Sequence, residues 1–215
     1  MKDKIKVYYS RFFTTKNAEL FKNCDLVIFG RKAFSELNYR KELKGGGDII
    51  SKMKSFSLKT SAPCLFTLKT DDYGRIKRSV FVYEKGKLSA ISDANFPKIG
   101  EASSIGYKVV KTAIGKIGVC VSDDLKNPDC IKALSLCESQ IIVNLYADIY
   151  DYNMQSLVPS LAYVYGVPII SCGAHGVISA NAKGKTEYCK NLEEDAFFCP
   201  VKREVKEVTV KTYRN

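Results

Sequence analysis

The stretch Gly115-Lys116-Ile117-Gly118-Val119-Cys120-Val121-Ser122-Asp123-Asp124-Leu125 constrains this chain more than any other. It reads as a buried strand that ends in a sharp turn into a helix. Such a turn lifts one side chain clear of the sheet, which is where an enzyme can display a nucleophile. Two side chains of the right chemistry lie here: the Ser122 hydroxyl at the turn and the Cys120 thiol two residues earlier, with the same strand parity.

The rest of the chain alternates strand and helix signals. Strands are expected at Ile5 to Tyr9, Asp25 to Phe29, Pro63 to Leu68, Arg78 to Tyr83, Leu88 to Ile91, Tyr107 to Thr112, Lys116 to Val121, Ile141 to Leu145 and Val167 to Cys172. Helices are expected from Thr14 through Phe21, from about Asp48 to Leu58 after Gly45-Gly46-Gly47, from the Asn127-Pro128-Asp129 cap, and at Ser160 to Tyr165. The strands at Phe29, Val121, Leu145 and Cys172 are continuous apolar runs, so both of their faces need cover, and they are expected as neighbouring core strands. Alternating elements of this kind argue for a layered α/β domain.

With 215 residues, 46% of them hydrophobic, one core suffices, and residues 1–215 read as a single domain. The first ten residues carry no apolar run of leader length and no window reaches membrane-span length, so a cytoplasmic protein without membrane contact is expected. Eight cysteines sit largely inside apolar runs, which favours buried reduced thiols over a disulfide framework. No Cys-x-x-Cys occurs and the single His175 has only Cys172 nearby, so neither a metal site nor a cofactor is expected. The formal net charge is +11, but the lysines and arginines are scattered and form no dense block, which disfavours a nucleic-acid partner.

The Gly115 to Asp124 segment resembles the nucleophile strand of the nitrilase (carbon-nitrogen hydrolase) superfamily, where Gly-Arg/Lys-Ile-Gly leads to a catalytic Cys, one residue and then Asp. Other segments resemble the family in order and spacing: Asp25 to Phe29 with its strand before Pro-Glu, Ser79 to Leu88 with its strand-turn-strand, Asn127-Pro128-Asp129 with its Phe-Pro-Glu, and Gly166 to Ile170 with the strand before Asn-x-x-Gly. The chain is shorter than typical members between its first strand and Phe29 and between Leu145 and Gly166. The resemblance implies an α/β fold of nitrilase type, a two-sheet αββα sandwich.

Carried over residue by residue, the resemblance places the family's Glu, Lys and Cys at Arg31, Ala94 and Ser122. Attack on an amide or nitrile needs a base, an oxyanion stabiliser and a thiol. These three residues supply none of them, so the resemblance implies a nitrilase-fold protein without amidase or nitrilase activity, acting in ligand binding or assembly. An anionic ligand is the expectation for a pocket walled by Arg31. A homodimer is the expected assembly, through an apolar helix face at Ile131, Leu134 and Tyr163.

The alternatives are an active carbon-nitrogen hydrolase using Cys120 as a relocated nucleophile, and a basic nucleic-acid-associated protein. Glu36, Glu84, Glu101 and Glu138 are conceivable replacement acids, and Lys32 and Lys98 conceivable replacement cations. Asp123 and Asp124 read as caps of the turn, and His175 as a loop residue.

Overall fold

The computed structural model describes residues 2–13, 21, 23–30, 32–147, 152–173, 176–191 and 193–204. The expected first helix lies outside the described residues apart from Phe21, as do Arg31 and His175.

Two sheets form the centre. The first holds β1 (Lys4–Ser10), β2 (Leu26–Phe29), β4 (Cys64–Asp72), β5 (Arg75–Glu84), β6 (Lys87–Asp93) and β13 (Glu194–Pro200), in the order β13-β1-β2-β4-β5-β6, with the short β3 (Leu37–Asn38) also on β4. The second runs β12-β11-β10-β9-β8-β7, from β7 (Lys108–Thr112), β8 (Gly115–Val121), β9 (Ile141–Ala147), β10 (Ile169–Gly173), β11 (Val177–Ala180) and β12 (Thr186–Lys190). Of the four apolar runs expected as neighbours, β8, β9 and β10 are adjacent and parallel, in register at Val119, Val143 and Ile170. The fourth, β2, belongs to the facing sheet between β1 and β4. A run buried on both faces reveals its depth but not which sheet it joins.

The inner faces interdigitate into one core. Val7, Leu26, Ile28, Leu65, Val80 and Val82 from one sheet meet Ile117, Val119, Val121, Val143, Leu145 and Ile170 from the other. Each fully buried aliphatic side chain there stabilises the fold by about 1.5–3 kcal/mol. The outer face of the first sheet is aromatic: Phe56 of a helix at Ile49–Lys59 packs on Phe29, which stacks on Phe66 at 5.3 Å between centroids. The outer face of the second is mainly aliphatic and is covered by α3 (Pro128–Leu136) and α4 (Tyr152–Tyr165), the third and fourth labelled helices after the short Tyr39–Leu43 turn α1 and the Ile49–Lys59 helix α2. Layers of α, β, β and α result.

Two expectations are corrected by α3 and α4. Ile131 and Leu134 are buried against the second sheet, so the apolar stripe of α3 is spent on the core and is not a free assembly face. Tyr163, Val164 and Leu136 are the large apolar side chains these helices leave exposed. The last helix also begins at Tyr152, not Ser160, and carries Pro159 within it. Across the turn that holds Pro159, Ser160 Oγ donates to the Ser156 carbonyl at 2.7 Å. Four strands, the short β3 and β11 to β13, lie beyond the runs expected from sequence.

Candidate functional site

The strand leading to the turn is glycine-dependent at two points. Gly115 takes φ +110°, where a Cβ would run into the Gln140 side chain, and its carbonyl accepts from Thr112 Oγ1 at 2.8 Å. At Gly118 a Cβ would lie 2.7 Å from Ser139 Oγ, so β8 lies against residues 139–142 only because the side chain is missing. The strand then ends at Val121, and Ser122 enters a 3₁₀ turn, Ser122–Lys126, with φ +59°. That left-handed conformation costs a non-glycine residue about 1–2 kcal/mol. It is the backbone signature of a nucleophile elbow, and Ser122 occupies it while only 4% exposed.

The polar contact made to Ser122 Oγ comes from the facing sheet. Arg78, on β5, donates from Nη1 at 3.2 Å. The same guanidinium donates from Nε to both Glu101 oxygens, at 2.8 and 3.0 Å. Both side chains are nearly buried, 4% and 7% exposed. Lys98 N donates to Glu101 at 3.2 Å and Lys69 Nζ lies 3.6 Å from it. Burial pushes the Glu101 carboxyl up, but the hydrogen bonds from Arg78 and Lys98 and the charges of Arg78 and Lys69 outweigh that and hold it below the usual carboxylate range. Arg78 is therefore neutralised where it touches Ser122.

Ala94 reaches the same arginine by backbone, its N–H donating to the Arg78 carbonyl at 3.0 Å, and its side chain is buried in the inter-sheet core. Ala94 and Ser122 thus meet on one residue, and Arg31 lies outside the described residues. The loop after Ala94 is tied to the elbow by Asp124, which accepts from Asn95 N at 3.0 Å, Phe96 N at 2.9 Å and Asn95 Nδ2 at 3.1 Å. Burial raises the Asp124 carboxyl, and these hydrogen bonds only partly offset it.

Cys120 is placed differently. Val119 and Val121 point between the sheets, whereas Cys120 points outward beneath α3, fully buried, with its sulfur 3.2 Å from Cys130 Sγ. Burial, followed by the Cys130 hydrogen bond, pushes its thiol well above the ordinary range. The strand parity it shares with Ser122 does not carry through the elbow. Of the other acids, Glu36 is exposed, Glu84 accepts from Ala113 N at 2.8 Å, and Glu138 pairs with Lys116 at 2.7 Å. Asp123 is a surface partner of Lys126, and Lys32 sits 5.8 Å over the Phe12 ring. Of the conceivable replacement acids, only Glu101 comes to the elbow, and it comes with its own cation.

Two buried polar side chains carry no sequence signal. Arg78 reads as one more strand residue, and Tyr9 as a core aromatic. Tyr9 is fully buried, its hydroxyl donates to the Gly173 carbonyl at 2.9 Å, and a Cβ at Gly30 would lie 2.8 Å from that hydroxyl. Burial lifts its pKa, so it stays a neutral phenol.

Solved structures of the same architecture decide what scaffold this is. Saccharomyces cerevisiae Nit3, a member of branch 10 of the nitrilase superfamily, matches with a TM-score of 0.75 at 13% identity, over 94% of this chain and 91% of that one. A carbon-nitrogen hydrolase from Helicobacter pylori G27 matches at 0.73 and 14%, over 91% and 88%. This is the nitrilase fold. A mutant of the Nesterenkonia AN1 amidase from the nitrilase superfamily also matches, at 0.73 and 10%, over 93% and 92%. Another mutant of that amidase shows covalent addition of the acetamide moiety of fluoroacetamide at the active-site cysteine. No protein-family model and no curated protein matches the sequence.

In this nitrilase-fold chain Ser122 stands at a strained strand-to-turn junction whose surroundings are those of a salt-bridged interior. A guanidinium donates hydrogen bonds and does not give up its protons at accessible pH, so Arg78 can fix the Ser122 hydroxyl but cannot accept its proton. Among the described residues no group of three or more His, Cys, Asp or Glu is arranged to hold a metal ion, and no helix is long and apolar enough to cross a membrane.

Proposed function

We propose that this nitrilase-fold protein does not hydrolyse carbon-nitrogen bonds and works through binding or assembly. One observation carries the reading: the Ser122 hydroxyl at the elbow is held by Arg78, a donor already paired with Glu101. A serine is a poor nucleophile without a base, and this contact withdraws electron density from its oxygen. The relocated-thiol alternative draws no support from Cys120, which faces another layer and is held protonated by burial. The Arg78 guanidinium is already committed to Glu101 inside the protein, so the role falls on surfaces more than on an anion pocket at the elbow.

Purified protein incubated with butyramide, a simple nitrile and an N-carbamoyl amino acid, assayed for ammonia, should release none above the blank. Turnover lost in Ser122→Ala, or lost in Cys120→Ser but kept in Ser122→Ala, would overturn the reading. Light scattering on the eluting protein tests assembly: a dimer is expected, weakened by Tyr163→Glu, which changes an exposed side chain.

A further inference from the structure

The two sheets end on the same side of the sandwich in unpaired edges, β6 for the first and β7 for the second. Between them runs a groove of about 430 Å³ lined by Ser89, Ala90 and Ile91 of β6 and by Lys108, Val109, Val110 and Lys111 of β7. It continues through Ile91 and Lys108 into a second cavity of about 500 Å³ under the β6–β7 loop. An open strand edge carries a row of backbone N–H and C=O groups that an added strand can satisfy.

On β7 itself the charges have one sign, while Asp72 and Asp93 line the cavity beyond Lys108 and Glu84 accepts from Ala113 N just past the strand end. Lys87, Lys108 and Lys111 are exposed, and none of their side chains has an ion-pair or hydrogen-bond partner among the described residues. Val110 points into the inter-sheet core and Val109 packs on the outer layer, so alternation puts Lys108 on the inner side of β7 and Lys111 on the outer side. The two ammonium groups flank the open edge on both faces. A second copy pairing by the same edge would set these lysines against each other. The groove beside β7 is lined by Ser89, Ala90, Ile91, Val109, Val110 and the two lysines, with no arginine or aromatic ring, and the tyrosines Tyr39 and Tyr73 line only the cavity beyond it.

We infer that β7 is a docking edge for an acidic extended peptide, which adds a strand beside Lys108–Thr112 and sets carboxylates against Lys108 and Lys111. The inference is independent of the elbow chemistry, since no residue of the Arg78 corner takes part.

The test uses the full chain and a fluorescent peptide of about nine Val and Thr residues, with two Glu separated as Lys108 is from Lys111. Anisotropy should report a Kd of about 100 µM or tighter, and Lys108→Glu with Lys111→Glu should weaken it roughly tenfold or more. A peptide with its Glu residues on one face should bind less well, and one N-methylated at alternate amides, with its charge intact, should not bind. Hydrogen exchange should show peptide-dependent protection of β7 amides in the unsubstituted protein, a readout that stands even if the charge-reversed variant misfolds. No binding at about 1 mM, equal binding of the N-methylated peptide, protection elsewhere, or preferential displacement by a single-stranded oligonucleotide would each overturn the inference.

Discussion

Cys120 and Ser122 lie on one segment with a single residue between them, and their surroundings are opposite. Cys120 sits in an apolar layer between the second sheet and its helices, its sulfur 3.2 Å from the weakly polar Cys130 thiol. Ser122 sits at the sandwich end, where an arginine from the facing sheet reaches it and a glutamate from a loop reaches the arginine. The strand dictates the first environment, because alternation fixes which face a residue sees. The turn dictates the second, because φ +59° takes Ser122 out of that alternation. A position near a nucleophile elbow therefore cannot be assigned to a site by counting along the strand.

The largest effect should come from Arg78→Ala. Removing the arginine leaves the nearly buried Glu101 to the looser Lys69 contact at 3.6 Å and the Lys98 N–H, and losses from breaking such pairs run to about 3–5 kcal/mol, read by urea denaturation. Replacing both partners, Arg78→Met with Glu101→Leu, should recover most of it. A loss no greater than that of a surface substitution would mean that the polar corner is not held by this pair.

Acid should act next, and with opposite signs on the two carboxylates. Glu101 is held below its unfolded value of about 4.3, so the stability it contributes is present above that value and is lost as pH falls through the folded value. Glu101→Gln should flatten this acid-side loss. Asp124 is raised above its unfolded value of about 3.9, so its contribution is present below that value and is lost as pH rises through the folded one. Urea melts across about pH 3 to 7 on wild type and the two amide variants separate these slopes.

The apolar side should respond less. Cys120→Ala removes one buried sulfur from a packed layer and should cost about 1–2 kcal/mol, with no dependence on pH in that range. Thiol alkylation sharpens the contrast: exposed Cys137 should label first and half-buried Cys189 after it, with Cys120 reacting only on unfolding. Fast labelling of Cys120 would erase the distinction between the two environments.

The smallest effect is expected at the elbow. Ser122→Ala loses one hydrogen bond while keeping the left-handed strain, and should cost about 1 kcal/mol. Ser122→Gly loses the same bond but relieves the strain, and should fall within about 0.5 kcal/mol of wild type. If glycine is as costly as alanine, strain is not what distinguishes this position.

Much of the scaffold was legible because it rests on short-range rules. Continuous apolar runs gave β2, β8, β9 and β10, and Asn127 does cap α3, its Oδ1 accepting from Asp129 N at 3.0 Å. The Asp71 to Gly74 turn closes β4 on β5, with Tyr73 and Gly74 both at positive φ. The Arg78–Glu101 pair was not legible as a pair, because a strand residue and a loop residue distant in sequence carry no mark of meeting. The stripe at Ile131 and Leu134 was ambiguous in principle: an apolar helix face looks the same whether a sheet or another chain covers it. β12 and β13 were missed because, as edge strands, they carry many polar or charged side chains, such as Thr186, Glu187 and Lys190 on β12 and Glu194 and Asp195 on β13.

The pairing of β1 with β13, from Lys4 opposite Pro200 to Ser10 opposite Glu194, sets a timetable for biosynthesis. One edge of β1 stays open until the residues from Arg11 through Pro200 have been made. At about 5–20 residues per second, that interval is roughly 10–40 seconds. Such long-range closure folds slowly, and a nascent chain halted before Glu194 would expose an unpaired strand beside an aromatic-backed sheet, a template for self-association. Ribosome-bound chains ending before and after β13 should therefore differ sharply in protease resistance.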